Sequence, residues 1–136
     1  MEAEVIQQTV NLYNGGSNAC GIMTSGGTES IFQAVLCYRN RYRKTHGWSG
    51  SVPTPELILP VSAHPAFNKA CHYLHVKVVP VEINPVSKKV SEKSIRSKIN
   101  SRTMAVVASA PQYRGIRIDR HVFWKSISSL KNFVFL

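Results

Sequence analysis

The sequence predicts an α/β domain, a partial doubly wound and mainly parallel sheet with helices on both faces. Short apolar runs alternate with segments of helical period from Gly21 to Leu136, the pattern of strands joined by crossover helices. Met104–Ala108 is a continuous apolar run between polar residues, as expected of a strand covered on both faces. The third observation is a glycine turn, Thr24-Ser25-Gly26-Gly27-Thr28-Glu29-Ser30, between the apolar Gly21-Ile22-Met23 and a helical pattern.

Glu4 to Tyr13 places Val5, Ile6, Val10 and Tyr13 at helical spacing, and Asn14-Gly15-Gly16 ends that helix. Cys20 to Thr24 reads as a short buried strand or a straight lead into the glycine turn. A helix from Thr28 to about Lys44 carries Ile31, Ala34, Val35 and Tyr38 on one face, with Arg39, Arg41, Arg43 and Lys44 at the negative end of its dipole. His46 to Pro55 is a loop, and Glu56 to Leu59 a strand closed by Pro60. Pro65 suits a first helical position, and Phe67, Ala70, Cys71 and Leu74 give the helix that follows its apolar face. Val76 to Ile83 is a strand whose Pro80 argues for an edge or a bulge. Asn84 to Lys89 is a polar turn, Ser91 caps a helix to about Ile99, and the buried strand Met104–Ala108 follows. Ser109 to Ile118 is a loop, Arg120 to Lys131 a helix, and Asn132 to Leu136 the start of another strand.

The chain has the length of one ordinary domain, 136 residues, and its 43% hydrophobic and 18% charged content exclude a disordered chain. No apolar stretch is long enough for a transmembrane helix. The acidic start, Met1-Glu2-Ala3-Glu4, lacks the basic region and apolar core of a secretory signal. The cysteines, Cys20, Cys37 and Cys71, are odd in number and far apart, with no CxxC, which points to reduced thiols rather than a disulfide framework or a zinc site. A net charge of +10 fits nucleic acid, an anionic membrane surface or a phosphorylated ligand, and does not choose among them.

Strand, glycine turn and helix start make a phosphate-binding arrangement. Adjacent glycines let backbone N–H groups approach a ligand, and the unpaired N–H groups of a helix's first turn favour an anion. An unliganded strand–turn–helix corner reads the same way. Thr28 either caps the helix or offers its hydroxyl to a phosphate oxygen. His64 follows a strand, where ligands gather in doubly wound sheets; it stacks on a planar ligand or is a surface or capping histidine. His72 and His75 stand at i, i+3 with no third metal ligand evident, and read as solvated. Tyr38 to Lys44 interleaves bases with aromatics, as single-strand nucleic-acid binders do, or is a solvated helix end with its tyrosines packed inward. Lys69 sits on an ordinary amphipathic helix, and Asp119 most simply caps the next one. GxGxxG and Walker signatures are absent.

Taken together, Cys20 to Ile31, Ala34, Tyr38 and Arg39, then Thr54-Pro55-Glu56, Ser62-Ala63-His64, Ala66-Phe67, Lys69-Ala70 and Tyr73, then Ala110-Pro111-Gln112-Tyr113, Gly115 and Asp119, resemble the sphingosine-1-phosphate lyases. These belong to the pyridoxal-phosphate-dependent decarboxylases of the aspartate aminotransferase fold. The resemblance implies residues 1–136 of a partial cofactor-binding large domain, and pyridoxal 5′-phosphate as cofactor. Gly27 and Thr28 match the positions that hold the cofactor phosphate, and His64 the histidine that stacks on its ring. It further implies a phosphorylated sphingoid base as substrate, cleaved to a fatty aldehyde and phosphoethanolamine, a homodimer in the intact family, and the cytosolic face of the endoplasmic reticulum membrane. A chain standing alone would be cytoplasmic.

The departures are as specific. The family's pyridinium-binding aspartate and its Schiff-base lysine match nothing within Met1 to Leu136, and residues from His121 onward, Trp124 among them, match poorly. The C-terminal domain and membrane anchor of the family are also unmatched. No catalytic residue and no metal site are therefore assigned, and the chain alone is expected to lack lyase activity. The competing readings are a non-catalytic basic module for nucleic acid or another polyanion, and a degenerate fragment; with the resemblance in place, nucleic acid is not the expected partner.

Overall fold

In a computed structural model of the chain, residues 1–47, 52–87 and 89–108 are described, together with the backbone of a last strand at 133–135. They form two compact units, Met1–Ser30 and Ile31–Leu136.

The second unit carries the sheet. Its strands are β1 (Glu56–Pro60), β2 (Lys77–Val81), β3 (Thr103–Ala108) and β4 (Phe133–Phe135). They lie in the order β2-β1-β3-β4 with every pairing parallel. β1 is buried along its whole length because it pairs on both sides. β2 has the outer position that Pro80 predicted: the ring removes a backbone donor that an interior strand would need.

Helices cover both faces of this sheet, as the alternation predicted. Helix α2 (Gly27–His46) and α3 (Ala66–Tyr73) send Ile31, Val35, Tyr42, Phe67, Ala70 and Cys71 against Leu57, Leu59, Ala105 and Val107. On the other face, Ile95 of the short α4 (Glu92–Arg96) packs with Ile58, Val81 and Val106. Alternate residues of β1 thus serve opposite cores, the period of a strand. A register shift after Glu56 sets Leu57 opposite Ala105, and Met104 joins the same core as Ala105, which is how a bulge re-aims a side chain.

The first unit holds α1 (Glu2–Leu12), none of whose residues is buried. Asn14, not the glycines after it, takes the left-handed conformation past the helix end (φ 53°). Gly15 is needed for a different reason: a Cβ there would lie 2.8 Å from Val10 Cγ1.

Several expectations are corrected. Cys20 to Thr24 takes the alternative of a lead into the glycine turn and is not a strand, and Ile22 and Met23 are 64% and 55% exposed. Their unit offers no second strand among the described residues, so the ladder has no partner; the Met23 N–H instead donates to Glu2 Oε1 at 3.2 Å. Helix α2 begins at Gly27, not Thr28, and runs on to His46, where Gly47 (φ +100°) ends it. Pro65 stands at the N-cap of α3, one residue before the predicted position. Ser91 is at the N-cap of α4, but its hydroxyl makes no capping bond, and Ile99 falls outside that helix. The Ser109 loop, Asp119, and the helix expected over Arg120 to Lys131 lie outside the described residues.

Candidate functional site

The glycine turn is ordered by hydrogen bonds that bracket the glycines. Gly26 accepts the first helical bond of α2, from the Ser30 N–H at 3.0 Å, and so stands at the cap position. Glu29 reaches back over the pair: its Oε2 accepts the Ser25 N–H at 2.8 Å and the Ser25 hydroxyl at 2.7 Å. The hydroxyls of Thr24 and Ser30 are 2.6 Å apart and share a proton donor between them. Thr28, expected as a cap or a phosphate ligand, does not cap. It lies within the first turn of α2 with its side chain exposed, and the bonds that bracket this end run from Ser25 to Glu29 instead.

Gly27 and Thr28 therefore keep their N–H groups without a partner among the described residues, as the first turn of a helix must unless something else supplies acceptors. Neither Gly26 nor Gly27 has a positive φ, and a Cβ built on either meets nothing within 4 Å. Glycine is thus not required here by the turn or by internal packing; it leaves an open approach to the helix end. A dianionic phosphate fits such a site, since unpaired N–H donors and the positive end of the dipole point to the same place.

His64 lies beyond Pro60 at the carboxyl end of β1, an inner strand, and immediately precedes Pro65, the cap residue of α3. Its Nδ1 accepts the Ala66 N–H at 3.1 Å. That bond requires a lone pair on Nδ1 and puts the ring proton on Nε2. The capping alternative weighed for this residue is realised at the ring edge; the ring is exposed. Gly27 and Thr28 belong together at the start of α2, and His64 to the other unit. The Ala110 to Asp119 part of the resemblance lies outside the described residues.

The basic run at the end of α2 takes the inward-packed alternative. Tyr42 is buried, 6% exposed, with its ring stacked on His46 at 4.1 Å. Tyr38 is half-buried, and burial pushes its phenol up from the ordinary value. Arg39 donates to the Leu74 carbonyl at 3.4 Å. An exposed aromatic platform for bases is therefore missing at Tyr42. Among the described residues no helix is long and apolar enough to cross a membrane.

The residue that sequence reasoning passed over is Glu29. Its signal was present in part: a glutamate three positions after the cap residue is half of a capping box. The other half is displaced, because the cap is glycine and the partner serine stands one residue earlier.

No model of a protein family matches the chain. The sphingosine-1-phosphate lyase of Dictyostelium discoideum is 40% identical to it over 112 residues, 82% of this chain and 20% of that protein. The chain is similar to the sphingosine-1-phosphate lyases over most of its own length. It spans about a fifth of the length of the curated lyases it matches. Among solved structures, a sphingosine-1-phosphate lyase from Burkholderia pseudomallei superimposes with a TM-score of 0.83 at 30% identity, covering 98% of this chain and 32% of that one. A glutamate decarboxylase from Lactobacillus brevis shares the fold at 16% identity, with a TM-score of 0.79 over 94% of this chain and 30% of its own. The fold is that of the pyridoxal-phosphate-dependent decarboxylases and aminotransferases, and the lyase family uses pyridoxal 5′-phosphate.

Proposed function

We propose that this chain supplies cofactor-binding elements of a pyridoxal-phosphate-dependent lyase acting on a phosphorylated sphingoid base. Gly27 and Thr28 bind the cofactor phosphate through backbone N–H groups and the Thr28 hydroxyl, and His64 lies against the pyridine ring. The bound cofactor supplies an electron sink for carbon–carbon cleavage to a fatty aldehyde and phosphoethanolamine. The protein's part is to bind and orient. The N–H groups of Gly27 and Thr28 neutralise phosphate charge without a cationic side chain, and the Ala66 N–H fixes the His64 ring with its proton on Nε2.

The observation that carries the reading is Gly27. Its φ is not positive and a Cβ there meets nothing within 4 Å, so folding does not call for glycine, whereas a ligand against the backbone does.

Gly27→Ala is thus a direct test. Stability should hold or rise, because alanine is the better helix former by about 1 kcal/mol, while affinity for pyridoxal 5′-phosphate in a calorimetric titration should fall. Unchanged affinity would reject the phosphate assignment. No lysine or aspartate within the 136 residues matches the family's remaining cofactor-binding positions, so we also propose that these residues alone bind the cofactor without turning over substrate. Release of fatty aldehyde by the purified chain would refute that.

A further inference from the structure

We propose that Glu29 is a positioning residue for the phosphate, holding the turn that presents the N–H groups of Gly27 and Thr28. The inference rests on the cofactor reading above. A carboxylate in the first turn of a phosphate-binding helix poses a conflict: its charge suits the helix dipole but repels a dianion. The geometry points to a use that accepts this conflict. Both Ser25 donors converge on one oxygen, Oε2, at 2.8 Å from the N–H and 2.7 Å from the hydroxyl.

Ser25 and Glu29 flank the glycine pair, so this contact closes a loop over two of the most freely rotating residue types. Without it the pair samples many conformations, and a phosphate arriving at the helix end must order them at the cost of affinity. With it, the donors of Ser25 are occupied, those of Gly27 and Thr28 stay available, and the backbone is arranged before the ligand comes. Glu29 touches no ligand in this scheme; it acts through Ser25.

The convergence on a single oxygen makes the assignment testable. The one carbonyl oxygen of glutamine has two lone pairs and accepts both bonds; alanine accepts neither. The chain and its Glu29→Ala and Glu29→Gln variants are titrated with pyridoxal 5′-phosphate and with pyridoxal, which lacks the phosphate. Glu29→Ala should weaken pyridoxal 5′-phosphate binding about tenfold, the size of a charge-assisted hydrogen bond, and leave pyridoxal unmoved. Glu29→Gln should stay within about threefold of the parent chain, since the bonds to Ser25 survive. Amide exchange at Ser25, whose N–H is the one bonded to Glu29, should quicken in Glu29→Ala only.

Equal losses in both variants, or a loss shared by pyridoxal, would overturn the positioning role. So would an unchanged Glu29→Ala in a chain that does prefer the phosphorylated ligand. If the parent chain shows no such preference, the cofactor reading falls and this inference with it. Should Glu29→Ala lose amide protection in β3, Ser25→Ala takes its place. It removes only the hydroxyl bond, and a loss of about threefold specific to pyridoxal 5′-phosphate is then expected; no loss overturns the role.

Discussion

Asn100 donates from Nδ2 to Glu56 Oε2 at 2.8 Å, across 44 residues of sequence. The other carboxylate oxygen takes Lys77 Nζ at 3.1 Å and Arg102 Nη2 at 3.0 Å. Glu56 opens β1, Lys77 opens β2 and Arg102 immediately precedes β3, so a single buried carboxylate ties the amino-terminal ends of three neighbouring strands. Hydrogen bonding from Asn100, then from Lys77, with the Arg102 and Lys77 charges behind it, holds the Glu56 carboxyl below its ordinary value against the opposing effect of burial.

Acid should therefore loosen the sheet from this end. A group depressed in the folded state stabilises it above its unfolded value, and that contribution is lost as pH falls through the folded one. Glu56 should contribute fully above about pH 5 and progressively less below. Urea midpoints measured across that range should fall less steeply for Glu56→Gln than for the parent; identical slopes would contradict the linkage.

The partners of Glu56 should differ in weight. Asn100→Ala leaves a buried charge short of a donor and should cost about 1.5–3 kcal/mol. Lys77 and Arg102 are 58% and 47% exposed, so Lys77→Ala or Arg102→Ala should cost about 0–1 kcal/mol each. Chemical denaturation ranks them, and a dominant loss at Lys77 would reverse this ordering.

The cysteines should separate by access. Cys20 and Cys37 are exposed and Cys71 is on the buried side of α3, where burial pushes its thiol up to about 11. An aromatic disulfide reagent at neutral pH should label Cys20 and Cys37 in the native chain and reach Cys71 only with denaturant. Mass mapping of the labelled peptides checks this, and early label on Cys71 would mean its site opens readily.

Gly47 ends α2 at φ +100°, its N–H donating to the Arg43 carbonyl at 2.7 Å. Gly47→Ala should destabilise by about 1 kcal/mol, the penalty of a Cβ in the left-handed region. A neutral or stabilising result would show that the helix end relaxes.

What could be read from residue order alone was whatever the chain decides locally. β1 and β3 are apolar runs covered on both faces, Pro80 marks the outer strand, and Phe67, Ala70 and Cys71 mark the buried side of α3. Cys20 to Met23 has the same apolar look as β1, yet forms no strand, because pairing depends on a neighbour that local composition does not reveal. For the proposed site, the glycine turn pointed to Gly27 and Thr28, and strand-end position to His64. The Ser25–Glu29 bracket was hidden by its spacing, one residue off the familiar capping pattern. The cap on α3 takes the capping alternative open to His64, with a histidine ring nitrogen as acceptor in place of a hydroxyl or carboxylate.

That ring nitrogen allows the two roles of His64 to be separated. His64 Nδ1 accepts the Ala66 N–H at 3.1 Å, so His64→Ala removes a cap and should destabilise by about 1 kcal/mol. His64→Asn keeps a short side-chain acceptor for the same N–H while removing the flat ring face. If the ring stacks on the cofactor, His64→Asn should unfold at nearly the parent's urea concentration yet bind pyridoxal more weakly, by about tenfold for a stacked aromatic pair worth 0.5–1.5 kcal/mol and some buried area. The phosphate contribution, read as the ratio of pyridoxal 5′-phosphate to pyridoxal affinity, should stay where it was, since the proposed site assigns it to Gly27 and Thr28. A variant that keeps both stability and pyridoxal affinity would leave His64 as a helix cap and nothing more.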